Sequence, residues 1–166
     1  THPRARVAVV ENGVDVEYFS GAARLASLPS GPTGGHLVFV GSMDYYPNVE
    51  AATSFAANLW PQLRQTFPDL RLWIVGAKPA PAVLALNGQA GITVTGTVDD
   101  VRPYYGGALA AIVPLRTGGG TRLKILEAMA AGVPVISTPI GAEGLAVTPD
   151  RDILMADPDD AATWVA

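Results

Sequence analysis

The 166-residue chain is 49% hydrophobic and 16% charged, carries a net charge of −4 and contains no cysteine. That length suits a single domain with a substantial core. The eleven Lys and Arg residues form no run, which argues against nucleic acid as a partner, and the lack of cysteine excludes disulfides and thiolate metal sites. No apolar stretch approaches the roughly 20 residues that span a bilayer. No signal-peptide pattern follows Thr1, so the cytoplasm is the expected compartment, and the missing initiator Met makes the start read as a cut from a longer chain.

Residues 1–35 are expected to be a linker and loop. Val7 to Val10 is a β-branched run ending at the turn dipeptide Asn12-Gly13, a possible edge strand, and Ser20 to Gly35 is rich in Gly, Pro, Ser and Ala, as surface loops are. Residues 36–166 then read as one folded unit. Leu37 to Val40, ended by Gly41, is a short apolar block of the kind buried on both faces of a sheet. Pro47-Asn48 opens a helix with an apolar stripe of Val49, Ala52, Ala56, Leu59, Leu63 and Phe67, which Pro61 should bend or split.

Leu70 to Val75 predicts a second strand, Pro81 to Leu86 a short helix and Ile92 to Thr95 a third strand. Asp99-Asp100 predicts a cap on a helix reaching Tyr105. Ala110 to Val113 is a fourth strand, Thr121 to Ala131 a helix stopped by Gly132, and Val133 to Ser137 a fifth strand. Ile153 to Met155 is a candidate sixth strand, and Asp157-Pro158 opens a last helix. Alternating strands and helices predict a doubly wound, Rossmann-like α/β domain, a parallel sheet with helices on both faces. Ligands of such folds bind beyond the carboxyl ends of the strands.

The segment richest in chemistry is Gly118-Gly119-Gly120-Thr121-Arg122-Leu123-Lys124. Glycines let backbone N–H groups turn towards an anion, and a helix N-terminus adds about half a positive charge, so this is a phosphate cradle. Arg122 and Lys124 in the first turn oppose the helix dipole, a cost that a bound diphosphate reverses; the alternative is that both extend into solvent. Glu127 is either an i, i+3 partner of Lys124 or a carboxylate for a ribose diol. Asp99-Asp100 reads as a cap rather than a metal pair, and no metal is expected. His2 and His36 are expected to be exposed, while Tyr45, Tyr46, Tyr104 and Tyr105 either line the cleft or pack.

Leu126 to Ile136, with the sequence Leu-Glu-Ala-Met-Ala-Ala-Gly-Val-Pro-Val-Ile, closely resembles the signature of the family-4 (group 1) retaining glycosyltransferases of GT-B fold. Glu11 to Asp15 with Phe19, Phe39 to Gly41 and Leu72 to Gly76 are similar to that family in the same order. The resemblance implies a C-terminal domain that holds a UDP-, GDP- or ADP-sugar and an N-terminal domain, absent here, that holds the acceptor. That missing half also offers a route to peripheral membrane association at the inner face.

Carried over, Glu127 binds the ribose hydroxyls, the N–H groups of Gly120, Thr121 and Arg122 meet the diphosphate and sugar, Thr97 and Val98 lie near the base, and Gly41 admits the diphosphate or acceptor. Two departures stand out. Gly119 replaces a glutamate that commonly touches the donor sugar, and Ser42-Met43-Asp44 stands where a basic pair is usual, which leaves the phosphate charge to Arg122 and Lys124. A non-catalytic nucleotide-sugar module and a nucleotide-sugar epimerase of related fold are the rival readings.

Overall fold

The computed structural model describes Ala8, residues 12–25 and residues 35–165, with residues 23 and 24 known by their backbone alone. The edge strand expected at 7–10 falls outside the described residues apart from Ala8, which is exposed. Six strands, β1 (His36–Val40), β2 (Arg71–Val75), β3 (Ile92–Val94), β4 (Ala108–Val113), β5 (Val135–Ser137) and β6 (Leu154–Met155), form one sheet in the order β3-β2-β1-β4-β5-β6. Every neighbouring pair is parallel.

The direction of winding explains where the helices lie. From β1 the chain steps outward to β2 and β3, and from β4 it steps the other way to β5 and β6, so right-handed crossovers place the two sets of helices on opposite faces. One face carries α2 (Tyr46–Ser54), α3 (Trp60–Thr66) and α4 (Pro81–Leu84), joined by the terminal α7 (Ala162–Val165), where Trp164 meets Phe55 edge-on at 5.2 Å. The other carries α6 (Leu123–Ala130), packed by α1 (Val16–Ser20) and α5 (Arg102–Tyr105), with Phe19 edge-on to Tyr105 at 6.2 Å. Between them lie the buried side chains of the strands, among them Val38, Phe39, Ile74 and Ile112.

Several expectations are corrected by local chemistry. The helix expected from Pro47 is interrupted by a π segment, Phe55–Leu59, where the Trp60 N–H reaches back five residues to the Phe55 carbonyl. Pro61 explains it, because proline has no N–H to donate and its ring crowds the preceding turn. The extra residue brings Phe55 and Trp60 into the buried stripe beside the expected Leu59 and Leu63, while Phe67 is 44% exposed.

His36, expected in solvent, begins β1 and is buried, its Nε2 2.9 Å from the Tyr104 carbonyl oxygen. Within the loop expected at 20–35, Ala22–Leu25 forms a 3₁₀ turn and residues 26–34 lie outside the described residues. The last helix starts at Ala162 rather than beside Asp157, capped by Asp160, which accepts the Ala162 N–H.

The start of α6 differs as well. Gly118 and Gly120 sit at φ +135° and +84°, and Arg122 takes the N-cap conformation, so the helix begins at Leu123 instead of Thr121. Its other end follows expectation. The Val133 N–H bonds the Ala128 carbonyl and the Gly132 N–H bonds that of Met129, with Gly132 at φ +72°, which is a Schellman closure.

Candidate functional site

The sheet order reverses between β1 and β4, so the loops leaving those two strands splay apart and open a crevice at their carboxyl ends. A cleft of about 290 Å³ lies there, lined by Gly41 and Ser42 after β1, Asn48 on α2, Gly119 and Thr121 in the glycine loop, and Lys124 and Glu127 on α6. Two glycines let the wall close up. A Cβ on Gly76 would collide with the Gly41 carbonyl, and a Cβ on Gly41 would lie 2.7 Å from Asn48 Nδ2 and 2.9 Å from Lys124 Nζ.

Lys124, in the first turn of α6, points into this cleft. Its ammonium donates to Asn48 Oδ1 at 2.7 Å and sits 4.6 Å from the centre of the Phe39 ring. Burial first and the Arg122 charge second bring its pKa from 10.5 down to about 7, with Glu127 partly opposing them. Asn48 is itself 6% exposed and donates through Nδ2 to the Ser42 carbonyl at 2.8 Å. The lysine therefore bonds a neutral amide and not Glu127, its expected helical partner.

Glu127 takes its hydrogen bond from elsewhere. The buried Tyr105 hydroxyl donates to its Oε2 at 3.3 Å. Burial raises the carboxyl pKa, with the Tyr105 hydrogen bond and the Lys124 charge working against the rise. Burial also pushes the Tyr105 phenol well up, helped by the Glu127 charge.

Arg122 is placed differently from what its position in sequence suggests. Its side chain is 5% exposed, with Nη1 donating to the Gly119 carbonyl at 3.0 Å and Nη2 to those of Gly118 and Ile140 at 3.2 and 2.9 Å. The guanidinium thus braces the glycine loop from within, and the exposed Glu143 carboxylate lies 3.8 Å from it. Further ties fix the same loop: Asn12 Nδ2 donates to Thr121 Oγ1 at 3.0 Å, and Thr117 Oγ1 to Glu50 Oε2 at 2.7 Å.

The fold brings Gly41, Gly119, Thr121, Arg122, Lys124 and Glu127 together around one cleft, whereas Gly118 and Gly120 shape the loop behind it. Thr97 and Val98 follow β3 and do not line the cleft; Thr97 is exposed and Val98 packs on the core. Of the tyrosines, Tyr45 lines the cleft, Tyr46 is exposed, Tyr104 packs edge-on to Trp73, and Tyr105 is buried beneath Glu127. Asp100 accepts the Arg102 N–H at 2.9 Å and pairs with its guanidinium, a structural role at the start of α5.

Asn48 and Ser42 line the cleft, a place that pattern reading did not give them. An asparagine in the first helical turn after the first core strand, opposite a strand-ending glycine, was the available signal. A larger cleft of about 420 Å³ lies at the amino ends of the strands, but its lining of Leu37, Leu63, Phe67, Leu109, Trp164 and neighbours contains no cation to meet a phosphate. Among the described residues no group of three His, Cys, Asp or Glu side chains could hold a metal ion, and no helix is long and apolar enough to cross a membrane.

The profile of the family described as "Glycosyl transferases group 1" matches residues 34–166. The chain belongs to that family. This group 1 glycosyltransferase chain is 33% identical over 140 residues to the phosphatidyl-myo-inositol mannosyltransferase of Mycobacterium tuberculosis, covering 80% of this chain and 35% of that protein. It therefore spans about a third of the length of the curated relatives it matches.

Solved structures share its fold. Anabaena HepE, in complex with UDP and glucose, superposes with a TM-score of 0.71 at 14% identity, over 95% of this chain and 45% of that one. Sucrose-phosphate synthase from Thermosynechococcus elongatus gives 0.67 at 24% identity, over 92% of this chain and 40% of that one. The C-terminal domain of a group 1 glycosyl transferase from Francisella tularensis gives 0.60 at 18% identity, covering 92% of this chain and 84% of that domain. The glycosyltransferase chain thus has the sheet and helix arrangement of the Rossmann-like halves of GT-B enzymes.

Proposed function

We propose that residues 36–166 form the donor-binding, C-terminal half of a retaining hexosyltransferase, which holds a UDP-, GDP- or ADP-sugar while an N-terminal half holds the acceptor, and that this half alone does not transfer sugar. The observation that carries the reading is the convergence of the glycine loop, the α6 N-terminus, Lys124 and Glu127 on one cleft at the point where the sheet order reverses. In this reading the diphosphate lies against the N–H groups of Gly120, Thr121 and Arg122, where the helix dipole favours an anion.

Lys124 meets the diphosphate with its ammonium. Arg122 adds charge from behind while it holds the loop in shape, and Glu127 accepts hydrogen bonds from the ribose diol. Cleavage of the sugar–phosphate bond leaves negative charge on the departing diphosphate, and fixed positive charge with pre-aligned N–H donors stabilises that charge without a metal. Thr97 and Val98 approach the base only when a bound nucleotide extends past the cleft towards the end of β3. The mycobacterial relative's name pairs mannose with a lipid, which supports peripheral membrane association through the N-terminal half; a cytoplasmic site of action is part of the same proposal.

A thermal-shift screen of UDP, GDP, ADP and their sugar conjugates tests the reading, because a ligand that binds only the folded state raises its melting temperature. One nucleoside diphosphate should raise it, and Glu127→Ala should remove most of that rise. A screen in which none of the three acts on a folded chain overturns the assignment.

A further inference from the structure

The Lys124 ammonium is held in an unusual way. It is desolvated in the cleft, yet its hydrogen-bond and ring partners among the described residues are neutral: the Asn48 amide oxygen at 2.7 Å and the face of Phe39 at 4.6 Å. Of the charged groups that act on it, Arg122 repels it and Glu127 attracts it, while the Glu127 carboxylate is shared with the Tyr105 hydroxyl. The side chains of α2 and β1 that touch it bring no charge at all. Asn48 is fixed in turn by its Nδ2 bond to the Ser42 carbonyl, and Gly41 leaves room for both side chains.

We propose that Asn48 is a positioning residue that aims the Lys124 ammonium at the diphosphate without cancelling its charge, so that nucleoside diphosphate binding is coupled to uptake of a proton by Lys124. The proposal rests on the donor-site reading above. In a balanced step, neutral Lys124 takes one proton from solvent as the anion enters, and the proton returns to solvent when the nucleotide leaves. The folded chain starts poised for this, since burial and the Arg122 charge together already bring Lys124 to a pKa of about 7, and an adjacent diphosphate stabilises the protonated form. An aspartate at position 48 would instead neutralise the ammonium permanently and hold its proton in the free protein.

Isothermal titration of the chain with the nucleoside diphosphate that binds, in buffers of different ionisation enthalpy, reads the proton directly. Near pH 7.5 the wild type should take up a substantial fraction of a proton, and its affinity should fall by several-fold to about tenfold over the next pH unit. Asn48→Asp should bind more weakly, take up almost no proton and lose that pH dependence. Titration of the Lys124 Cε resonance in the free wild type should show a midpoint far below that of exposed lysines, and this readout stands if the variant fails to fold. Binding with no proton uptake in the wild type, or an ordinary Lys124 midpoint, overturns this inference and leaves the donor site intact, whereas absence of binding by all three nucleoside diphosphates overturns both.

Discussion

Each residue of the cleft does a separate job, and the substitutions that separate them differ in kind. Gly41 is there for space: a methyl group would press on Asn48 Nδ2 and Lys124 Nζ, so Gly41→Ala should leave the melting temperature within a few degrees while weakening nucleotide binding by tenfold or more. Titration of the folded variant checks this, and unchanged affinity would mean that the Lys124–Asn48 arrangement is irrelevant to the ligand.

Much of the cleft lining was legible in the sequence, because a triglycine before a helix and a lone carboxylate in an apolar turn are conspicuous. Arg122 was not, since spacing says that a guanidinium is near the helix start but not that three backbone carbonyls will enclose it. Asn48 stayed hidden because its partner Lys124 is 76 residues away.

At the scale of elements, α6 is the piece that converts sequence into a site. Its start is set by the left-handed turns at Gly118 and Gly120 together with the Arg122 brace, and its end by the Schellman closure at Gly132. Gly132 is at φ +72°, where an L side chain is strained. Gly132→Ala should therefore cost ~1 kcal/mol, read as a lower urea midpoint with unchanged slope; no loss would mean that the closure contributes little.

Strand blocks were easy to read because a parallel strand buried on both faces is a short apolar run. In the long helix the expected stripe held at Leu59 and Leu63 but missed the buried Phe55 and Trp60, since a π turn adds a residue that no 3.6-residue pattern contains.

For the whole molecule, the winding that reverses at β1 and β4 puts the cleft at the carboxyl edge of the sheet, and that choice has a thermodynamic signature. Lys124 titrates at about 7 in the folded chain against an ordinary 10.5. The unfolded chain therefore keeps a proton that the folded chain releases, so stability rises as pH climbs from about 7 to 10.5; the cost is full below this window and gone above it. Glu127 acts in the other direction, because burial raises its pKa above 4.5 and stability falls as pH rises through that shift. Urea melts from about pH 7 to pH 9 should show the wild type gaining stability and Lys124→Met remaining flatter; parallel curves for the two would contradict the burial of the ammonium.

The most direct measurement is a crystal structure of this chain with the nucleoside diphosphate that stabilises it. The account predicts the pyrophosphate against Gly120 to Arg122, within hydrogen-bond reach of Lys124, and the ribose hydroxyls on Glu127. A nucleotide seated in the apolar cleft at the amino ends of the strands, with Lys124 still bonded only to Asn48, would contradict it.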